Sequence, residues 1–173
     1  MTALLLTASA LALGIGAAVA RAPRDEFETE IFINAPTERV WALLTDPIAH
    51  AAWNPMMRAV EGSFTPGKRV RLTLRTPSGG TMTIRPRVLV ADPCRELRWL
   101  GRAGLPRLFD CEHYFRLIPE AGGTRLIHGE RFRGVLLWTM DVQQFRAGFE
   151  AGNAALQALA EGSEPLEVRS KSD

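Results

Sequence analysis

Three polar side chains suited to acid–base or hydrogen-bonding chemistry stand close together in the sequence: His113, His128 and Glu130. Strand alternation places Phe109, Cys111, His113, Phe115 and Leu117 on one face, and Leu126, His128, Glu130 and Phe132 on one face of the next run. With both faces turned inward, two imidazoles and a carboxylate stand on a largely apolar wall. There they could bind a carbonyl or hydroxyl oxygen, or act as acid and base. Two other readings stay open. The three groups could satisfy each other or backbone groups near the rim, and a one-residue slip of register would set Glu112 and Tyr114 opposite the second set instead.

Two histidines and a carboxylate also raise a metal site, but His113 and His128 fall on different strands and lack the short helical spacing of metal-binding motifs. Neither a metal nor a cofactor is expected. His50, near Trp53, reads as a capping or surface residue, while Asp141 and Asn153 face either a pocket mouth or solvent. Ser63, Ser78 and Ser163 lack the setting of a nucleophile elbow. Gly79-Gly80 and Gly122-Gly123 read as hairpin turns, not phosphate loops. Cys94 and Cys111 could pair only if their backbones approach closely, and with two cysteines the fold does not depend on disulfides.

The elements that must position these groups follow from periodicity. Phe27–Ile33 alternates as a strand, and Ala35-Pro36-Thr37-Glu38 opens a helix carrying Val40, Trp41, Leu43 and Leu44. Asp46-Pro47 stops it, and Ile48–Trp53 forms a second short helix. Strands are then expected at 57–64, 69–75, 81–91, 96–101, 109–118 and 124–132, each bounded by Gly or Pro and joined by short links, which makes an antiparallel meander. From Val135 to Glu161 the period becomes helical, with Gly148 and Gly152 on the apolar face. Glycine inside a helix costs about 1 kcal/mol relative to alanine, so something approaches that face closely: the sheet or a ligand.

This order predicts an α+β helix-grip fold: a curved antiparallel sheet of six to seven strands wrapped around a long C-terminal helix, with two short helices after the first strand. A cavity between sheet and helix would suit a small hydrophobic ligand. Its wall would draw on Trp53, Met82, Ile84, Val88 and Trp99, on Phe109, Cys111, Phe115 and Phe132 of the later strands, and on Trp138, Phe145 and Phe149 of the long helix.

The total charge of +2 hides a basic middle: residues 58–107 hold eleven basic and three acidic side chains, while each flank is net negative. Arg85, Arg87, Arg95 and Arg98 fall at alternating strand positions, which reads as a solvated outer sheet face. No nucleic-acid fold signature accompanies them, so no nucleic-acid partner is expected.

Met1–Ala20 contains no charged residue and is long enough to cross a bilayer as a helix. Ala18-Val19-Ala20 is a cleavage-type pattern, whereas the positive charges, Arg21 and Arg24, follow the apolar run instead of preceding it. A single membrane anchor is favoured over a cleaved signal or an extension from a misplaced start. The chain is thus expected at a membrane through this segment, or exported if the segment is removed. Residues 26–161 form the domain and 162–173 a polar tail.

Several motifs occur together in order: Ile31-Phe-Ile-Asn-Ala-Pro-Thr-Glu-Arg-Val-Trp41, Trp53-Asn54-Pro55, Glu96-Leu-Arg-Trp-Leu-Gly101, Phe109-Asp-Cys-Glu-His113, Gly129-Glu-Arg-Phe-Arg-Gly134 and Gly148-Phe-Glu-Ala-Gly-Asn-Ala-Ala-Leu156. Over about Glu26–Glu161 the chain resembles the polyketide cyclase/dehydrase branch of the SRPBCC (START-like, helix-grip) superfamily. Members commonly have Gly between the Asp and Glu of the Phe-Asp-x-Glu-His run, where this chain adds the side chain of Cys111. The resemblance implies lipid-transfer modules, quinone binders, hormone-type carriers and a minority of cyclases. A shared fold does not transfer a reaction. The expectation is therefore a binder or carrier of a lipid, quinone or polyketide-like molecule. The alternative is a cyclase, dehydratase or isomerase using His113 with Glu130 or His128, and a third reading is a membrane-surface adaptor using the arginine-rich sheet.

Overall fold

The computed structural model describes residues 20–76 and 79–162. β1 (Arg24–Ile33) buries Phe27, Thr29 and Ile33 and leaves the residues between them mostly exposed, so it has one dry face. α1 (Thr37–Thr45) buries Val40, Leu43 and Leu44. Asp46 ends it and starts α2 (Pro47–Trp53), its carboxylate accepting from the backbone amides of Ile48 and Ala49 at 2.7 and 3.1 Å. That supplies partners for donors a helix start otherwise leaves unpaired.

The remaining strands are β2 (Met57–Glu61), β3 (Arg71–Arg75), β4 (Thr81–Ile84), β5 (Arg87–Asp92), β6 (Glu96–Arg102), β7 (Asp110–Glu120) and β8 (Gly123–Arg133). One antiparallel sheet runs β1-β8-β7-β6-β5 and a second runs β2-β3-β4. Residues 67–70 join the two, with the amides of Gly67 and Val70 donating to Val88 and Pro86 at 2.9 and 3.1 Å. The segment 81–91, expected as one strand, is divided between the sheets. Pro86 has no N–H to continue a ladder, and its carbonyl serves the joining segment instead. Eight strands therefore stand where six to seven were expected.

The C-terminal helix also differs from its expected extent. α3 spans Arg146–Glu161, and two 3-10 turns, Val135–Trp138 and Val142–Phe145, precede it. The amides of Val135 and Leu136 donate to the carbonyls of Arg107 and Leu108, which docks this stretch on the β6–β7 loop. Asp141 then caps the second turn through the amide of Gln143 at 2.9 Å. α3 buries Phe149, Gly152, Asn153, Leu156 and Ala160, a stripe at helical spacing that packs on β1 and β8. The close approach its glycines allow comes from the α2–β2 region. A Cβ at Gly148 would stand 2.5 Å from Sδ of Met56, and one at Gly152 would meet Trp53 at 3.9 Å.

The main core includes Ile33, Leu43, Leu44, Val88, Leu97, Phe115, Leu126 and Leu156, and a second cluster centres on Phe27, Phe132, Val142 and Phe149. Arg87 is exposed on the outer face, whereas Arg85 and Arg95, expected at strand positions, are exposed in the links that flank β5, and Arg98 pairs with Glu96 and with Glu112. Tyr114 is 1% exposed on that face because it lies over Gly129, with the guanidinium groups of Arg116 and Arg131 5.2 and 4.9 Å from its ring. Its hydroxyl donates to Glu28 at 2.6 Å, and burial with that carboxylate pushes its pKa up to about 12. A Cβ at Gly129 would stand 2.5 Å from the Tyr114 hydroxyl and 2.9 Å from the carbonyl of Phe27, which is backbone and cannot swing aside. Gly129→Ala is expected to cost about 2 kcal/mol through overpacking, read as a lowered urea midpoint at constant slope.

Among the described residues no helix is long and apolar enough to cross a membrane. The anchor or signal expected at Met1–Ala20 falls, but for Ala20, outside those residues, as does the tail beyond Gly162.

Candidate functional site

The register of the central strands decides which polar groups meet. β7 and β8 pair Cys111 with Phe132, His113 with Glu130, Phe115 with His128 and Leu117 with Leu126. Thr29 of β1 stands opposite His128, and Trp99 of β6 opposite His113. The slipped register with Glu112 and Tyr114 inward does not occur, and both residues belong to the outer face.

These pairings produce a directed hydrogen-bond chain from the sheet into α3. The hydroxyl of Thr29 donates to the backbone carbonyl of His128 at 2.9 Å, which uses its only proton. Asn153 must therefore present its amide nitrogen to Thr29, at 2.9 Å, and its carbonyl oxygen to Nδ1 of His128, at 2.7 Å. His128 thus carries its proton on Nδ1, and its bare Nε2 accepts from Nε2–H of His113 at 2.9 Å. One backbone carbonyl fixes both tautomers. Nδ1 of His113 is left as a lone pair, 3.9 Å from a carboxylate oxygen of Glu130.

Aromatic stacking holds the rings in these orientations. His113 lies flat on Trp99, with centroids 4.5 Å apart and planes 6° apart, while His128 is sandwiched between Phe115 and Phe149 at 4.1 and 4.2 Å. Burial keeps both imidazoles neutral: the pKa of His128 falls to about 3, and that of His113 falls well below its ordinary value, helped by the proximity of His128 and His50. Burial works the other way on a carboxyl and raises Glu130 to about 7, partly opposed by a hydrogen bond from the Cys111 thiol. Burial and the neighbouring Glu130 push that thiol up. Its sulfur has room because its strand partner is Gly101, where a Cβ would stand 2.9 Å from Sγ.

The chain ends at its most exposed members. The side chains of His113 and Glu130 retain 15% and 14% exposure, against 2% for His128 and 3% for Asn153. Met56, Phe109, Cys111, Leu137 and Phe145 are only partly buried around the second apolar cluster. Two depressions of about 640 and 440 Å³ lie elsewhere, the larger on the outer face beside Arg131 and Arg133, the smaller beside Asn34 and Glu120.

The residues expected to line a ligand wall divide into three groups. Phe109, Cys111, Phe132, Phe145 and Phe149 gather in the second cluster beside the polar chain, whereas Trp53, Val88, Trp99 and Phe115 are buried in the main core, with Ile84 packed against it. Met82 and Trp138 lie outside both clusters, 51% and 59% exposed. Met82 follows β4 into the second sheet, and Trp138 sits on a 3-10 turn instead of on α3. His50 is also not a surface residue. It is fully buried among Trp53, Phe64, Trp99 and Phe115, with Nδ1 on the Leu44 carbonyl at 2.8 Å, and burial lowers its pKa to about 4.

Thr29 is not among the residues the sequence reading singles out, although a threonine among the inward positions Phe27, Ile31 and Ile33 is a signal of it. Cys94 and Cys111 are both free thiols. Among the described residues no group of three or more His, Cys, Asp or Glu side chains is arranged to hold a metal ion.

An antiparallel sheet gripping a C-terminal helix, with a buried polar chain that ends at the partly exposed His113 and Glu130, defines a helix-grip protein. The chain belongs to the polyketide cyclase/dehydrase and lipid transport family, whose pattern matches residues 24–161, and through it to the SRPBCC superfamily. No curated protein sequence matches the chain. Among solved structures it is similar to protein CV1439 from Chromobacterium violaceum, at 23% identity and TM-score 0.68 over 80% of this chain and 98% of that one. It also resembles StfQ, a di-domain ARO/CYC from the steffimycin biosynthetic pathway, at 15% identity and TM-score 0.64, covering 80% of this chain and 51% of that one. DynU16, from the dynemicin biosynthetic locus, matches at 21% identity and TM-score 0.64, covering 83% and 49%. At these identities the likeness establishes the fold.

Proposed function

We propose that this protein carries a small hydrophobic molecule with one uncharged oxygen function, its apolar part against the second aromatic cluster and its oxygen between His113 and Glu130. The observation that supports this most is the polarity of the buried chain. It leaves Nδ1 of His113 as an acceptor beside a carboxyl that stays largely protonated up to about pH 7, so a hydroxyl finds an acceptor and a carbonyl finds a donor. Both protein groups are neutral below that pH, so an uncharged ligand displaces no strongly hydrated ion. A lipid, quinone or polyketide-like compound meets these terms, and lipid transport is within the family's description.

One observation favours a second reading, catalysis. A bare imidazole nitrogen and a carboxyl of raised pKa, 3.9 Å apart, are a base and an acid in reach of one substrate oxygen, and StfQ is an ARO/CYC protein. Native mass spectrometry of the full chain purified without detergent separates the readings. His113→Ala is expected to weaken retention of a co-purified hydrophobic compound about tenfold, whereas Glu130→Gln, which can still donate, retains it. Retention unaffected by His113→Ala would overturn the site. Conversion of the compound by the native chain, lost in Glu130→Gln while binding persists, would replace carriage with catalysis.

A further inference from the structure

We propose that the end of the domain bearing Leu105, Leu136 and Trp138 docks on an anionic membrane surface. These side chains are 76%, 39% and 59% exposed, unusual for apolar groups of this size. The backbone gathers them from two distant segments. The amide of Leu108 donates to Leu105, that of Leu136 to Leu108 and that of Val135 to Arg107, at 3.1, 3.2 and 3.0 Å. Arg107 holds φ at 64°, a left-handed conformation that side chains resist, and its amide is tied to the carboxylate of Asp110 at 3.2 Å.

Arginines rim this apolar tip. Arg24 and Arg133 are register partners, Arg133 is also the partner of Asp110, and Asp110 of Arg102. Desolvation, and then the nearby Arg107 and Arg24, lower the pKa of Arg133, while Asp110 opposes them. Asp110 pairs with Arg102 at 3.4 Å, and among the described residues Arg24, Arg107 and Arg133 have no carboxylate within ion-pairing distance. Asp25, Glu26 and Asp110 share the adjoining depression with Arg24 and Arg133 but form no ion pair with either. Arginines left without a direct carboxylate partner are complementary to phosphate headgroups, and Trp beside Leu is the composition that seats in the interfacial layer of a bilayer.

The path of the chain favours a bilayer over another protein. The amide of Gly134 donates to the carbonyl of Pro23 at 3.2 Å, so the chain enters the domain at this same end. Only Arg21, Ala22 and Pro23 separate that end from the uncharged segment Met1–Ala20, and three residues span at most about 11 Å. The uncharged stretch of the sequence thus ends within three residues of the arginine-rimmed tip. This inference rests on the surface and does not depend on the ligand reading.

The test uses the full chain with vesicles of brominated phosphatidylcholine and phosphatidylglycerol. The tryptophan emission that the bromines quench is expected to come from Trp138, since Trp53 and Trp99 are 7% and 4% exposed and Trp41 is partly buried on α1, which follows the opposite end of β1, so Trp138→Phe removes most of it. Reversing two rim charges, Arg24→Glu with Arg133→Glu, is expected to reduce the quenching at least twofold, each arginine near an anionic surface being worth about fivefold in affinity. Sedimentation with vesicles but without quenching, or quenching that survives Trp138→Phe, would mean that the N-terminal segment alone holds the membrane and would overturn the proposal. Self-association abolished by Leu105→Ser would overturn it in favour of a second copy on this surface.

Discussion

Acidification below pH 6.5 is expected to destabilise this fold by about 3 kcal/mol for each pH unit. His50, His113 and His128 are all held neutral by burial, with folded pKa values of about 4, well below the ordinary value, and about 3. Released by unfolding they titrate near 6.5, so as pH falls below 6.5 the unfolded chain binds up to three more protons at these sites than the folded one, and stability falls as pH falls. Glu130 acts oppositely. Its raised folded pKa of about 7 gives stability that is full below the carboxyl's ordinary value and lost as pH rises through 7. Across pH 4.5–6.5 it offsets about one of the three protons, leaving a net of about two. At about 1.4 kcal/mol per proton and pH unit, two pH units remove about 6 kcal/mol, comparable to the whole stability of a typical domain. Urea midpoints at pH 7, 6 and 5 check this, and a flat profile over that range would refute it. His50→Leu should reduce the slope by about one proton while leaving the polar chain intact.

The second large effect is expected at Asn153, the joint between helix and sheet. Asn153→Leu is close in volume but leaves Nδ1–H of His128 buried without an acceptor and removes the donor to Thr29. An orphaned buried donor costs about 1–3 kcal/mol, and a total near 3 kcal/mol is expected. The consequence extends to His113. Without Asn153 nothing holds the proton of His128 on Nδ1, so His113 is no longer required to donate from Nε2, and its free lone pair at Nδ1 is lost in part of the population. Imidazole nitrogen shifts read this directly. Asn153→Asp keeps an acceptor and should cost less at neutral pH, while the added negative charge raises the pKa of His128 and brings its uptake of a proton closer to neutrality. Unchanged stability and unchanged tautomers in Asn153→Leu would show that the hydrogen-bond chain does not order the site.

Much of this is legible in the sequence, for reasons that differ by residue. The alternation Phe109, Cys111, His113, Phe115, Leu117 reports burial directly, because a strand with one dry face must place apolar groups at every second position. The same logic failed at 81–91, where alternation continues smoothly across Arg85-Pro86 although the ladder does not. Side-chain patterning is blind to a missing amide proton. It also fails at Val135–Trp138, where four consecutive apolar residues form a 3-10 turn because the carbonyls of Arg107 and Leu108 capture the amides of Val135 and Leu136. His50 illustrates a third limit. A histidine on a short helix carries no mark of burial, and only the aromatic groups converging from α2, β6, β7 and the loop bearing Phe64 decide it.

The sequence by itself determined the helix-grip architecture, the family and the two faces of the central strands, since each depends on local periodicity, turn chemistry and motifs in order. What only the tertiary structure decided is which end of the polar set is chemically available. Thr29, His128, His113 and Asn153 come from three strands and a helix up to 124 residues apart, and the direction of every proton among them follows from a single backbone carbonyl. Hydrogen-bond direction is a property of the closed network, so no spacing along the chain encodes it.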